Sequence, residues 1–330
     1  MATLIVDGDN LLNIGFFGRK NYFFNGIHIG GIYHFLVTIK NLIETNEIDK
    51  VCTFWDGENG NFERRKIYPQ YKLKQKIEID EINFNYQKTR IKQYLEELFI
   101  RQSEFNYCEC DDLISYYVKN SVNENKIIVS SDKDMLILLD EKTKVYNPRT
   151  HILYDIYSDF IYEKEQVNIN NIKLIKILCG DNSDNILGVK GLGIKRLLEI
   201  VPEIRTQIVD LKFVLDRCSE LKKPKNIIKN ILDGKSKNGN FGEQLYTLNE
   251  EIIGLTKLFI NDDVKNEIDE LINFNLDSEN RSYKNIIKLM IEDGISTLLP
   301  KNEDAWVNFF SPYLNLIRKE KNKTYKNNTN

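Results

Sequence analysis

The sequence predicts an α/β protein, a mostly parallel sheet with helices on both faces, continued by a region of helices alone. Short β-branched runs at Thr3 to Val6, Val51 to Trp55 and Lys126 to Ser130 read as buried strands. Between them apolar residues recur at helical spacing: Ile32, Phe35, Leu36, Ile39, Leu42 and Ile43; Ile91, Leu95, Leu98 and Phe99; and Leu113, Ile114, Tyr117 and Val118. Strands that alternate with helices imply parallel crossovers. From about Asn170 the strand signal gives way to helices, the first with Leu174, Ile175 and Leu178 on one face and Gly180 as its C-terminal cap. A glycine-punctuated turn follows, then helical patterns to about Ile317. The expected division is a core over 1–165, a helical region over 166–317 and a disordered basic tail over 318–330.

The chain has 330 residues, 42% hydrophobic and 11% aromatic, enough for one large or two modest cores. No run approaches the roughly 18 apolar residues that span a bilayer. The sequence moves directly into Leu4-Ile5-Val6-Asp7 without a charged leader, so a soluble cytoplasmic protein is expected. Five scattered cysteines without a CxxC pair and only three histidines argue against a disulfide framework or a zinc site.

The net charge is −3, from 46 basic and 49 acidic residues, and does not by itself announce a nucleic-acid partner. The distribution says more. Arg64, Arg65, Lys66, Lys72, Lys74 and Lys76 form a stretch without an acid, and Lys222 to Lys237 forms a second, broken only by Asp233. Charge runs of this kind are usually just solvated faces.

Each strand run ends in an aspartate: Asp7, Asp56 and, slightly beyond the third, Asp132. In an open parallel sheet the carboxyl ends of the strands share one rim, where ligands bind. Any one of these residues alone reads equally well as turn or N-cap chemistry. Three on one rim repel one another and need a counter-ion. Glu109, Asp111 and Asp112 open the helix of Leu113, Asp134 follows Asp132 by two, and Asp181 and Asp184 sit in Gly-Asp-Asn-Ser-Asp-Asn. Hard oxygen ligands in this number, with almost no imidazole or thiol, specify magnesium or manganese. Two such ions about 4 Å apart clamp both oxygens of a phosphodiester displacement.

VDGDN at 6–10, FWDG at 54–57, YPQYK at 68–72, CECDD at 108–112, SSDKD at 130–134 and GDNSDNILGVKGLGIKR at 180–196 occur in the order found in flap endonucleases. In this the sequence resembles the flap-endonuclease and 5′–3′ exonuclease superfamily over roughly residues 1–200, including phage 5′ nucleases and the nuclease domain of bacterial DNA polymerase I. The remainder is only loosely similar to a phage-type ribonuclease H. The resemblance implies a PIN-like nuclease core with a helical arch at about 60–100, then a helical DNA-binding region with a helix-hairpin-helix-like motif. It implies Asp7, Asp56, Glu109 and Asp111 as holders of a first Mg2+, and Asp132, Asp134, Asp181 and Asp184 as holders of a second, Mn2+ substituting. Asp112 matches an acid less clearly a ligand, and Asp9 stands where the family has a small polar residue.

Lys72 matches the family lysine at the scissile phosphate, a catalytic role. Arg64, Arg65, Lys74 and Lys76 would line the arch. Gln75 departs from the pattern, standing where an arginine is usual, and a flanking lysine does not reproduce a bidentate guanidinium. Gly188, Lys190, Gly191, Gly193 and Lys195 would form a hairpin that grips duplex DNA, with K+ bound there.

The activity implied is hydrolysis of DNA or RNA–DNA strands with free 5′ ends or flaps, removing RNA primers during replication for a phage or phage-like replicon. The host cytoplasm would then be its location. A monomer is expected, with a replication clamp or single-strand-binding protein as candidate partners and no membrane. Two other readings stand beside it: a single-metal PIN-type ribonuclease, which lacks the glycine hairpin, and a DNA-binding protein with a dead site, which would lack some of the acids.

Overall fold

The computed structural model describes residues 2–73, 80–98, 100–221, 225–273, 283–301, 304–305 and 308–316. Lys74, Gln75, Lys76, Phe99, Lys222, Lys223 and the tail 318–330, all singled out above, lie outside the described residues.

The central sheet has six strands: β1 (Ala2–Asp7), β2 (Ile48–Trp55), β3 (Arg101–Glu104), β4 (Asn125–Val129), β5 (Thr143–Asn147) and β6 (Ile152–Tyr154). Their spatial order is β3-β2-β1-β4-β5-β6, parallel throughout except for the last pair. The expected α/β class with a mostly parallel sheet is therefore what the chain forms. β1 is central, with Asp7 level with Phe54 of β2, and Val6 level with Val129 of β4. The chain leaves β1 for β2 on one side and later crosses back to β4 on the other, so the strand order reverses beside β1. In open α/β sheets the ligand crevice lies at such a reversal, outside the carboxyl ends of the strands.

β3 carries no apolar code: Arg101-Gln102-Ser103-Glu104 is an edge strand, held by its backbone to β2. Period-2 packing explains β1. Ile5 faces a core with Cys52, Phe54 and Ile128, while Leu4 and Val6 face another with Val51, Trp55, Ile127 and Val129.

Helix α1 (Gly8–Gly18) starts at Asp7, which caps it by accepting from Asn10 N–H at 3.1 Å. Next come α2 (Gly30–Thr45), α3 (Phe62–Ile67), α4 (Glu81–Glu97) and α5 (Cys110–Asn120). After a hairpin of Asp159–Tyr162 with Glu165–Asn168 come α6 (Ile172–Cys179), α7 (Ile194–Ile200), α8 (Leu211–Ser219), α9 (Asn226–Leu232), α10 (Glu243–Ile253), α11 (Asp262–Ile272) and α12 (Tyr283–Glu292). The later region is not purely helical: two-residue strands pair at 180–181 with 186–187 and at 235–236 with 239–240. Gly180 does end α6, at φ +76.

Packing runs on across residue 165. One cluster joins Ile5, Phe54 and Ile114 to Ile175, Leu197 and Ile228. The other joins Leu4, Phe35 and Tyr94 to Ile286, Met290, Phe309 and Tyr313, whose hydroxyl donates to the Leu36 carbonyl at 2.6 Å. Among the described residues no helix is long and apolar enough to cross a membrane.

Candidate active site

β1, β2 and β4 end side by side, and their ends carry the carboxylates. Asp7 is buried and accepts from Ser130 Oγ at 2.8 Å. Burial, then the charge of Asp56, pushes its carboxyl up to about 7. Asp56 accepts from the Cys110 N–H at 2.8 Å, which pins the start of α5 to the end of β2, while its own N–H donates to Asp9 at 2.8 Å. Asp9, left outside the ligand set by its position, thus holds Asp56 from behind and is itself paired with Lys88 of α4 at 3.1 Å.

Two triads of carboxylates, each with one oxygen per residue within 4.8 Å of the others, share Asp134: Asp111 with Asp132 and Asp134, and Asp134 with Asp181 and Asp184. This crosses the expected partition, because Asp111 from the first set meets Asp132 and Asp134 from the second. Burial, above all, raises Asp134 to about 7 against the pull of Lys176, with Asp132 adding to the rise. Burial likewise drives Asp111 well up, opposed by Lys72 and reinforced by Asp132 and Glu109.

Lys176 was not picked out by the sequence reading. It lies on the buried side of α6, 3% exposed, and bridges Asp134 and Asp181, the latter at 2.8 Å. Its signal is present but local: a lysine amid Leu174, Ile175, Ile177 and Leu178, five residues before an aspartate. Burial opposes the charge of Asp181, yet Lys176 and the two Ser183 donors win and hold its carboxyl low.

Glu109 is engaged elsewhere. It accepts from Arg64 at 2.6 Å, Lys72 at 2.6 Å and the Tyr71 hydroxyl at 3.1 Å. Burial pushes its carboxyl up, but Lys72 and Arg64 outweigh it and hold the group below the usual range. Asp112 is fully buried and grips Arg64 through both oxygens, at 2.6 and 2.9 Å.

This corrects the expectation for Arg64. At 2% exposed, with Asp112, Glu109 and the Ile252 carbonyl taking its donors, it is an internal strut and does not reach the surface where a ligand could meet it. Arg65 donates to the Tyr71 and Lys72 carbonyls at 2.9 and 3.1 Å, so it braces the turn that carries Lys72. That turn is held from the other side too. The Lys72 N–H donates to the Asp184 carbonyl at 3.0 Å, and the Asn185 amide donates to the Leu73 carbonyl at 2.8 Å. Lys72 itself sits at φ +48, and its side chain is one third exposed at 33%. Burial works against its ammonium, and Glu109 more than compensates, so the group stays charged.

In the glycine turn, Lys190, Gly191, Gly193 and Lys195 are exposed, and Gly191 takes φ +78. The turn is fixed by the Lys190 N–H on the Lys235 carbonyl at 2.7 Å and by Arg196 on the Gly191 carbonyl at 2.6 Å. Gly188 needs a different explanation from the one expected. A Cβ there would strike the backbone of Cys179 and Gly180, so its bareness serves close packing within the chain.

A divalent cation fits these residues. The shared triads offer only carboxylate oxygens, and two of the rim carboxyls are pushed up to about 7, chiefly by burial, with neighbouring carboxylates adding to the rise. An α/β core whose central strands end in such a rim, with a braced lysine beside it, is the architecture of a 5′-nuclease-type protein. The chain belongs to the 5′–3′ exonuclease family: residues 2–170 match its N-terminal resolvase-like domain.

A 5′–3′ exonuclease of Bacillus subtilis (strain 168) is 31% identical over 211 residues, covering 62% of this chain and 70% of that one. DNA polymerase I of Caldicellulosiruptor bescii is 31% identical over 210 residues, 62% of this chain but 24% of the polymerase. The chain therefore spans about a quarter of that relative's length. Among solved structures, a T5 5′-exonuclease with divalent zinc ions bound has TM-score 0.61 at 21% identity, covering 82% of this chain and 98% of that one. A bacteriophage T5 flap endonuclease in complex with DNA and metal ions has TM-score 0.59 at 22% identity, covering 82% and 99%. These two share the fold.

Proposed function

We propose that this chain is a structure-specific 5′ nuclease that hydrolyses phosphodiesters in DNA or RNA–DNA strands bearing free 5′ ends or flaps. The observation that carries the reading is the pair of carboxylate triads sharing Asp134, at the mouth of the sheet and next to Lys72. Asp111, Asp132, Asp134, Asp181 and Asp184, with Asp7 and Asp56 on the strand ends, would hold two Mg2+ ions, with Mn2+ as a substitute. When bound, the ions supply an activated water and stabilise the leaving oxygen.

The chain's own residues do the rest. Lys72, fixed by Arg65 and by the Asp184 carbonyl, presents an ammonium to a scissile phosphate where negative charge builds. Arg64 holds Glu109 and Asp112 so that the first turn of α5 cannot shift. Lys190 and Lys195 on the glycine turn contact duplex phosphates, with K+ as a candidate ion there. Primer and flap removal in replication is the process this chemistry suits, by a monomer in the cytoplasm, with a clamp or single-strand-binding protein as candidate partners.

The test is direct. A labelled 5′-flap duplex, a nicked duplex and an RNA-primed duplex are incubated with and without magnesium, and the products are sized. Short 5′-phosphorylated products that need the metal support the reading, and intact substrates in all arms overturn it.

A further inference from the structure

Beyond the rim lies a groove of about 500 Å3 between the start of α3, the loop before α5 and the segment before α11. Two large rings stand in it half exposed, Phe62 at 45% and Tyr107 at 50%, with centroids 5.5 Å apart. The Lys66 ammonium lies 4.5 Å from the centre of the Phe62 ring. Tyr107 adopts φ +66, a left-handed backbone that a bulky L-residue rarely takes, fixed by its N–H on the Glu58 carbonyl at 2.8 Å. Burial does not require this strain, since the ring it displays is half in solvent. Backbone strain of this kind concentrates at functional sites.

The groove is joined to the acidic rim. Cys108, in its wall, immediately precedes Glu109. Phe259, also in the wall, stacks on Arg64 with the guanidinium 4.7 Å from the ring centre, and Arg64 holds Glu109 and Asp112. The wall's one acid, Glu63, is neutralised by Lys66 at 2.6 Å.

We propose that this groove is a stacking site for an unpaired base of the substrate strand, with Phe62 and Tyr107 as the platform. The proposal rests on the nuclease reading for the identity of the occupant. Exposed rings beside a cation, on a nearly neutral surface next to the rim, suit a base whose π-face is read without sequence preference. Stacking on one aromatic contributes about 1–3 kcal/mol per base, so losing the platform should weaken flap binding roughly tenfold.

The experiment uses the full chain carrying both Phe62→Leu and Tyr107→Asn. Leucine keeps the apolar bulk at Phe62, and asparagine tolerates the left-handed backbone at Tyr107. A fluorescent adenine analogue is walked through the 5′ flap, with metal chelated so that no strand is cut. The expected result is quenching at one or two adjacent flap positions in the wild type, lost in the double variant, with the preference for flapped over nicked duplex falling about tenfold. Quenching that survives in the variant, quenching at no position of a bound flap, or an equal loss of affinity for flapped and nicked duplexes overturns the proposal. Cleavage is scored separately with magnesium. Protein that shows the quenching pattern and cuts nothing supports the groove and sinks the nuclease reading.

Discussion

Two neighbouring clusters of carboxylates and cations at the active site are compensated to different degrees. Around α3, Arg64 and Lys72 face Glu109 and Asp112, two cations for two anions, with Arg64 donating to both acids and to the Ile252 carbonyl. Across the rim, among the described residues, Lys176 alone is paired with Asp134 and Asp181, while Asp111, Asp132 and Asp184 crowd the same oxygens. The first cluster is a closed network that fixes geometry. The second is short of positive charge and so is built to receive it. A buried ion pair that is complete stabilises only through the cost of breaking it. An incomplete one stores repulsion that a cation relieves.

The sharpest way to break the comparison is Arg64→Met. It strands Asp112 in the interior and takes one of the two cations from Glu109, and should cost about 3–5 kcal/mol in denaturant unfolding, with magnesium restoring little. A loss under about 1 kcal/mol would mean that the closed cluster is not a strut.

Lys72→Ala should lower the single-turnover cleavage rate by about 10²–10³ while substrate affinity changes far less. If affinity falls as much as rate, Lys72 binds ground state and transition state alike.

Lys176→Met addresses the open cluster. Metal-free protein should lose about 1–3 kcal/mol, because Asp134 and Asp181 lose their shared partner. Magnesium should restore most of that, since a divalent ion replaces the missing charge. A magnesium-induced rise in Tm no larger than in the wild type would sink the idea.

The last effect is on pH dependence. Asp7 and Asp134 are raised to about 7 in the fold, well above an unfolded aspartate at about 3.9. Between those values the folded state holds more protons than the unfolded one, so metal-free stability should fall as pH rises from about 4 to about 7 and level off above. Asp7→Asn keeps an N-cap oxygen and should flatten that slope. Tm measured against pH in chelator, for wild type and variant, checks it; a Tm that climbs over this range would overturn the electrostatic account.

The strand-end aspartates were legible because β-branched runs announce buried strands, and a carboxylate at each carboxyl end falls on one rim in a parallel sheet. Lys176 and Arg64 were not. One hides in an apolar helix and the other in a basic run, and only tertiary packing says that both are internal. β3 escaped for the opposite reason: Arg101 to Glu104 pairs through backbone at an edge and needs no apolar side chains. The packing of α12 against α4 and of Tyr313 against α2 was equally invisible, since a helical period states that a face is buried but not against what.

That packing has a consequence for how the protein is made. Helices α2 and α4, which lie in the same apolar cluster as Leu4, Val6 and Val51, are joined by α12 and Tyr313, among the last of the described residues to leave the ribosome. Synthesis proceeds at about 5–20 residues per second, so α2 and α4 wait many seconds for these last packing partners. A chain interrupted after α11 presents an uncovered apolar face and becomes a client for chaperones or proteases.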